Sequence, residues 1–239
     1  MLEVSRHGPV AVLTLARPKH GNRLTAALAG AVAAELAAAR ADAGVGACVL
    51  TGAGGVFCLG GDYEGAGRTA AGRDEYARAL IGMDRAMAAL GKPLVAAVNG
   101  DAHAGGLAVV ASCDLAVAAA DATFGLPEAA NGLFPFIALA IVRDALPKKV
   151  LFDLIYDTRL IDAERARDLH VVNEVVPRAA VLGRALAVAE RAASRDPAVV
   201  GLGRGLYYRL RGVGDDDYEA ARVALMDALA ARDRSRESR

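Results

Sequence analysis

Short, uninterrupted apolar segments alternate with helix-like segments along the first half of the chain. The apolar segments lie at 47–51, 94–98 and 115–119, and the helical ones at 25–41, 74–90 and 106–112. Strands that are buried on both faces are typically continuous apolar runs, and an intervening helix lets successive strands run parallel. The chain is therefore predicted to form an α/β fold around a largely parallel sheet.

The two ends of the chain follow different patterns. Two alternating apolar runs, 2–6 and 10–16, flank Gly8-Pro9 and predict a β-hairpin. Beyond Pro147 the pattern is mostly helical, and the charged residues 232–239 are expected to fray. The elements predicted there are helices at 147–156, 162–169, 178–193, 198–210 and 217–232, with a strand at 171–176. We predict a core at 1–177 followed by a helical section at 178–239.

Charge and cysteine content exclude several classes of protein. The 28 basic and 28 acidic residues balance, whereas a nucleic-acid-binding protein usually carries a basic surface. No apolar segment reaches the ~20 residues of a membrane span, and no secretory signal opens the chain. The three cysteines have no spacing typical of a disulfide framework or a metal site. We therefore expect a cytoplasmic protein with no bound metal, nucleic acid or membrane.

Two glycine-rich loops directly follow predicted buried strands, at 52–67 and 99–106. Glycine lets the backbone turn tightly and leaves N–H groups open to a ligand, and the second loop also opens a helix. Two such loops could bring N–H groups to one oxygen and form an oxyanion hole. Close packing of helix on strand also requires glycine, so the loops alone leave both interpretations open.

A single glutamate, Glu128, lies in the apolar segment 122–135. An apolar neighbourhood raises the pKa of a carboxyl group and suits it to proton transfer. An exposed glutamate at a helix start would need no such role. His103 and Asp101 in the second loop are further candidates for acid–base chemistry, although a loop imidazole is also commonly bound to the backbone.

Eight short segments stand in an order and spacing that match a known superfamily. They are Arg17-Pro-Lys-His-Gly-Asn-Arg-Leu24, Leu50-Thr-Gly-Ala-Gly54, Phe57-Cys-Leu-Gly-Gly-Asp62, Lys92-Pro-Leu-Val-Ala-Ala-Val-Asn-Gly100, Ala104-Gly-Gly106, Cys113-Asp-Leu115, Phe124-Gly-Leu-Pro-Glu128 and residues 169–177. Over nearly its whole length the chain resembles the crotonase, or enoyl-CoA hydratase/isomerase, superfamily. The resemblance implies a ββα spiral core with a C-terminal helical trimerisation section, and a homotrimer or hexamer that acts on acyl-CoA without a cofactor.

The resemblance also implies roles for individual residues. Gly61 and Gly105 would donate N–H groups to a thioester oxygen, and Glu128 would be the catalytic carboxylate. The residues expected around the substrate are Asp62, Tyr63, Glu64, His103, Phe134 and Pro135, and those expected near the CoA moiety are Arg17, Lys19, Arg23 and Leu24.

Two departures from the family pattern bear on the reaction. Classical hydratases carry a second glutamate three residues after the glycine of the second loop, and here that position is Ala108. One carboxylate suits the transfer of a proton between two carbons, so an enoyl-CoA isomerase is expected ahead of a hydratase or a low-activity acyl-CoA-binding member. The further C-terminal helix that roofs the acyl-CoA site in many members is not recognisable, which predicts a more open CoA site or a roof from a neighbouring subunit.

Overall fold

A computed structural model of the chain describes residues 1–63, 65–66, 69–211 and 215–237. Its strands are β1 (Leu2–His7), β2 (Val10–Leu15), β3 (Ala47–Gly52), β4 (Leu94–Val98), β5 (Ala102–His103), β6 (Leu115–Ala119), β7 (Thr123–Gly125), β8 (Ile161–Asp162) and β9 (Glu174–Val176). Its α-helices are α1 (Ala26–Ala41), α2 (Ala70–Ala89), α3 (Gly105–Ser112), α4 (Phe136–Val142), α5 (Lys148–Tyr156), α6 (Ala163–Asp168), α7 (Val181–Ala193), α8 (Pro197–Leu210) and α9 (Asp215–Glu237). Among these residues no helix is both long and apolar enough to cross a bilayer.

The main sheet confirms the predicted α/β fold. Its strands lie in the order β1-β2-β3-β4-β6-β9, and only the β1–β2 hairpin is antiparallel. Residues of β3 and β4 are buried on both faces, as their continuous apolar sequences indicate. The carboxyl ends of the parallel strands β3 and β4 therefore lead into the two glycine-rich loops side by side.

A second, smaller sheet was not predicted. It has the order β5-β7-β8, and Ala102 and His103 of β5 pair in parallel with Phe124 and Gly125 of β7. Strands of two or three residues are too short to give a periodic signal, so the sequence gives no indication of them. This sheet matters for the site because α3 begins two residues after β5 and Glu128 follows three residues after β7.

Most predicted helices are confirmed, and the differences lie at their ends. Thr25 caps α1 by accepting a hydrogen bond from the Leu28 N–H. Helix α2 begins at Ala70 rather than 74, because Thr69 caps it in the same way. The strand predicted at 171–176 covers only Glu174–Val176. The sequence does not predict α4, and the helix predicted at 217–232 extends over Asp215–Glu237.

The C-terminal helices pack on the core by different contacts. Helix α7 lies against β3, β4 and β6, whereas α9 packs on α2 and α4. Helix α8 is held by the buried Arg204, which pairs with Asp114 at 2.9 Å and donates to the Met87 carbonyl at 2.7 Å, near the end of α2. The division at 177 into a core and a helical section remains a prediction.

Candidate active site

The two glycine-rich loops meet at Gly61 and Gly105. Leu24 forms a parallel bridge with Gly61, in which the Leu24 N–H donates to Gly60 O and the Asp62 N–H donates to Leu24 O, both at 2.8 Å. A methyl group placed on Gly105 would lie 3.7 Å from the Gly61 nitrogen, so the two backbones are adjacent. Gly105 is the first residue of α3, where an N–H has no acceptor within the helix. Within the described residues, no hydrogen bond uses the N–H of Gly61 or of Gly105.

Unusual backbone conformations bring the loops together. Ala104 has φ 54°, although it is not a glycine, and its N–H donates to Gly125 O at 2.8 Å. Gly60 has φ 95°, and a methyl group there would lie 2.7 Å from the Ala104 Cβ. Such conformations persist only where the surrounding structure imposes them, and they cluster at functional sites. The backbone at Ala104 turns so that α3 starts directly beside Gly61.

Tyr76 of α2 lies directly behind Gly61. A methyl group at Gly61 would lie 1.9 Å from Tyr76 Oη, so this position requires glycine. Tyr76 is buried, its hydroxyl has no partner among the described residues, and its ring contacts that of Tyr63 edge-on at 5.3 Å. Sequence reasoning missed Tyr76 because it is an ordinary buried residue of an amphipathic helix, and no local pattern relates it to Gly61.

Glu128 lies in a 3-10 helix, Pro127–Asn131, and its side chain points inward. The residue is 7% exposed, and Glu128 Oε2 has no hydrogen-bond partner in the part of the chain that the structure describes. Burial away from water raises the pKa of Glu128 from 4.5 to about 7, because the charged form is poorly solvated there. The carboxyl group can therefore both accept and release a proton near neutral pH.

Glu128, Gly61 and Gly105 line one narrow cavity of about 30 Å³, which is enough for about two water molecules. Its other walls come from Leu24, from Tyr63 and from mostly apolar side chains of α2, α3 and α4. Two adjacent N–H groups without protein acceptors can stabilise an oxygen that gains negative charge, and an unpaired carboxyl group beside them can move a proton.

Several predicted site residues support the loops instead of lining the cavity. Arg17 donates to Asp62 Oδ2 at 3.1 Å and to the Arg23 carbonyl at 2.6 Å, while Arg23 donates to the Leu59 carbonyl at 2.8 Å. Asp62 also accepts a hydrogen bond from the Gly65 N–H at 3.0 Å. These contacts fix the loop that carries Gly61.

His103 takes part in a hydrogen-bond chain outside the cavity lining. Thr123 donates its hydroxyl proton to Asp101 Oδ1 at 2.7 Å, so it accepts from His103 Nε2–H at 2.8 Å. Desolvation lowers the pKa of His103, which favours the neutral imidazole.

The remaining predicted residues do not line the cavity, and one of them lies outside the described residues. Phe134 and Pro135 precede α4, and Phe134 packs on Phe136 with ring centroids 5.5 Å apart, but neither predicted residue lines the cavity. Lys19 is exposed in the 3-10 helix Pro18–His20. Glu64 lies outside the described residues.

Comparisons with a family model, with related proteins and with solved structures agree with one another. A family model described as enoyl-CoA hydratase/isomerase matches residues 5–209. A putative enoyl-CoA hydratase of Thermus thermophilus is 34% identical over 229 residues, covering 94% of this chain and 90% of that protein. The 2,3-dehydroadipyl-CoA hydratase of Escherichia coli is 34% identical over 82% of this chain and 77% of its own length. The crystal structure of carnitinyl-CoA hydratase from Mycobacterium avium superposes with a TM-score of 0.82 at 32% identity, over 95% of this chain and 90% of that one.

Proposed function

Since the chain belongs to the enoyl-CoA hydratase/isomerase family, we propose that this acyl-CoA enzyme moves the double bond of a 3-enoyl-CoA to position 2. The observation that carries the proposal is Glu128, whose buried and unpartnered Oε2 lies in the cavity lined by Gly61 and Gly105. The position that holds a second glutamate in classical hydratases is Ala108, which lines the same cavity.

The reaction begins with the thioester oxygen accepting hydrogen bonds from the Gly61 and Gly105 N–H groups. Ionised Glu128 removes a proton from C2 of the 3-enoyl chain, and the electron pair delocalises over C2, C3, C4 and the thioester oxygen. The two N–H groups stabilise this negative charge, each donor contributing typically about 3 kcal/mol to the barrier reduction. Protonated Glu128 then returns the proton to C4, which leaves the double bond between C2 and C3.

The environment of Glu128 suits this exchange of one proton. With a pKa of about 7, the carboxyl group is close to half ionised at neutral pH, so removing and returning the proton are both accessible. The apolar cavity walls keep bulk water from protonating the intermediate first. No step requires a metal or an organic cofactor.

Hydration of a 2-enoyl-CoA is the second candidate, because the relatives named above are called hydratases. Hydration needs one group to hold and deprotonate a water and another to protonate C2. The methyl side chain of Ala108 can do neither, and the other cavity carboxylate, Asp84, already accepts hydrogen bonds from Ser112 and Tyr218. An acyl-CoA-binding protein with little turnover is the third candidate.

Turnover assays separate these functions. Purified protein should convert 3-enoyl-CoA to 2-enoyl-CoA faster than it hydrates 2-enoyl-CoA, as followed by chromatography of the CoA thioesters. Glu128→Gln keeps the shape of the side chain but cannot accept the proton, so isomerisation should fall about 100-fold or more. Glu3→Gln, on the exposed face of β1, is the matched control. Faster hydration than isomerisation would favour the hydratase, and binding without either reaction would favour the binding protein.

Contacts with the CoA moiety are also proposed. Arg17 and Arg23 are engaged with the loop around Gly61, so they would hold the thioester donors in place while their remaining N–H groups face phosphates. Lys19 is exposed beside them, and its ammonium group would pair with a phosphate as a flexible point charge.

An oligomer is supported by the outer face of α8. Val199, Leu202, Leu206 and Leu210 recur at helical spacing and are 65%, 75%, 48% and 76% exposed. A continuous apolar stripe of this kind is typical of a surface that is covered by another chain. We propose that a second copy of this chain covers the stripe, within a homotrimer or hexamer.

A further inference from the structure

The cavity lined by Glu128, Gly61 and Gly105, called the acyl cavity below, is polar at the end remote from the two glycines. Asp84 of α2 and Ser112 of α3 line the cavity, and Tyr218 of α9 meets Asp84 from outside it. All three are buried, with exposed fractions of 7%, 4% and 8%. A carboxylate in an otherwise apolar cavity is costly unless it is fully paired. Its presence at this position therefore requires an explanation.

The hydrogen-bond directions decide what this cluster can bind. Ser112 donates to Asp84 Oδ1 and Tyr218 donates to Asp84 Oδ2. The other partner of the Ser112 hydroxyl is the Ala108 carbonyl at 3.0 Å, which is also an acceptor. Both hydroxyl protons are thus directed at protein acceptors. The cluster offers acceptor lone pairs and negative charge to the cavity.

From this arrangement we infer that the acyl group carries a hydrogen-bond donor, a hydroxyl or an ammonium, at the end remote from the thioester. The inference rests on the proposed function, since it takes Gly61 and Gly105 as the thioester donors. A donor at this end would satisfy Asp84, whereas a methyl end would leave its lone pairs unpaired in an apolar cavity. A terminal carboxylate would meet a like charge.

The spacing along α3 sets the length of the acyl chain. Gly105 and Ser112 are seven residues apart on one helix, which is about 10 Å along its axis. An extended chain with bonds of about 1.5 Å advances about 1.25 Å per bond, so about six to eight carbons span this distance. Met83 and Met87 line the path, and their flexible side chains are the ones that would move to admit the chain.

A larger cavity beyond the cluster suggests a different substrate, one whose acyl chain passes Asp84 and ends in a carboxylate. It has a volume of about 450 Å³, shares Asp84, Ile141 and Tyr218 with the cluster region, and is lined by arginines that include Arg209 and Arg211. A chain that pushed past Asp84 would place its end among these guanidinium groups. A preference for a terminal carboxylate would therefore support that path and contradict ours.

The test compares acyl-CoA thioesters that differ only in the terminal group. We would measure kcat/KM for 3-enoyl-CoA substrates of six to eight carbons ending in methyl, hydroxyl, ammonium or carboxylate. Wild-type protein should prefer a hydroxyl or ammonium end over methyl by about tenfold or more. Asp84→Leu should remove or reverse this preference. Asp84→Asn keeps the shape of the side chain and disturbs folding less, and it should reduce the preference for the ammonium end more than that for the hydroxyl end. Asp227→Asn, at an exposed position of α9, should keep the wild-type ratios.

Binding measurements separate this inference from the proposed function. Calorimetry with the corresponding saturated acyl-CoA thioesters measures their binding affinities, so it tests the preference for the terminal group without any turnover. If no 3-enoyl-CoA is isomerised but the donor-ended thioesters still bind most tightly, the isomerase proposal fails and the specificity stands. Equal affinity for methyl and hydroxyl ends, or ratios unchanged in Asp84→Leu, would overturn the inference.

Discussion

Replacing Glu128 by glutamine should change how the stability of the protein depends on pH. The raised pKa of Glu128 means that the folded protein holds this proton more tightly than the unfolded chain does. Well below pH 4.5 both states are protonated and the carboxyl group has no effect. Between pH 4.5 and about 7 the unfolded chain releases the proton first, so the free energy of unfolding falls, and above pH 7 the loss is complete.

The magnitude follows from the change in pKa. A rise from 4.5 to about 7, at about 1.4 kcal/mol per pH unit, corresponds to a total loss of about 3 to 4 kcal/mol. Integrated between pH 5 and pH 8, the loss is about 2 to 3 kcal/mol. Glutamine cannot ionise and escapes this loss. Burying the glutamine amide lowers the free energy of unfolding by the same amount at every pH. Only the change with pH in the difference between the variant and wild type therefore tests the argument.

Urea unfolding at pH 5 and pH 8, at one fixed protein concentration, measures this difference. The free energy of unfolding of Glu128→Gln minus that of wild type should rise by about 2 to 3 kcal/mol between the two pH values. Glu3→Gln, at an exposed position, should show no such rise. A difference for Glu128→Gln that stays constant within about 0.5 kcal/mol would mean that the carboxylate is well solvated or paired, and would refute the argument from burial.

Two further predictions concern the loops and the assembly. Gly61→Ala should lower kcat about 100-fold or more, because its Cβ would lie 1.9 Å from Tyr76 Oη and displace an oxyanion donor. The double variant with Tyr76→Phe should recover much of the activity, since the nearest remaining ring atom is 3.2 Å away; no recovery would mean that the clash is elsewhere. Leu202→Asp combined with Leu206→Asp should dissociate the oligomer to monomers in light scattering, whereas Val4→Asp should not, and an unchanged mass would exclude the α8 stripe as an interface.

The parts of the fold that sequence alone predicts are those with a local cause. Thr25 caps α1 through a bond to a residue three positions along the chain, and the burial of β3 and β4 appears directly as continuous apolar sequence. Glu128 is recognisable as a candidate because its neighbours in sequence are apolar. The glycine-rich loops are predictable because each directly follows an apolar strand, and the family resemblance selects Gly61 and Gly105 within them.

The parts that could not be predicted depend on contacts between distant segments. The pairing of β5 with β7, which positions both Gly105 and Glu128, joins segments about twenty residues apart through two residue pairs. Tyr76 and Asp84 look like ordinary helix residues, and their importance comes from what they meet: Gly61, Ser112 and Tyr218. No periodicity or spacing in the sequence predicts these contacts, because each one joins residues that are far apart along the chain.

The contact between Tyr218 and Asp84 has a consequence for how the protein is made. It joins residues 134 positions apart, and it brings the last helix of the described chain against the end of the acyl cavity. During synthesis, at about 5–20 residues per second, the segments that form β3, β4 and α3 leave the ribosome several seconds before α9. In that interval a nascent chain can build its sheet and glycine loops but leaves Asp84 without its tyrosine partner. The polar cluster at this end of the cavity is complete only when α9 docks, so the group that we propose selects the acyl chain is also the last to be assembled.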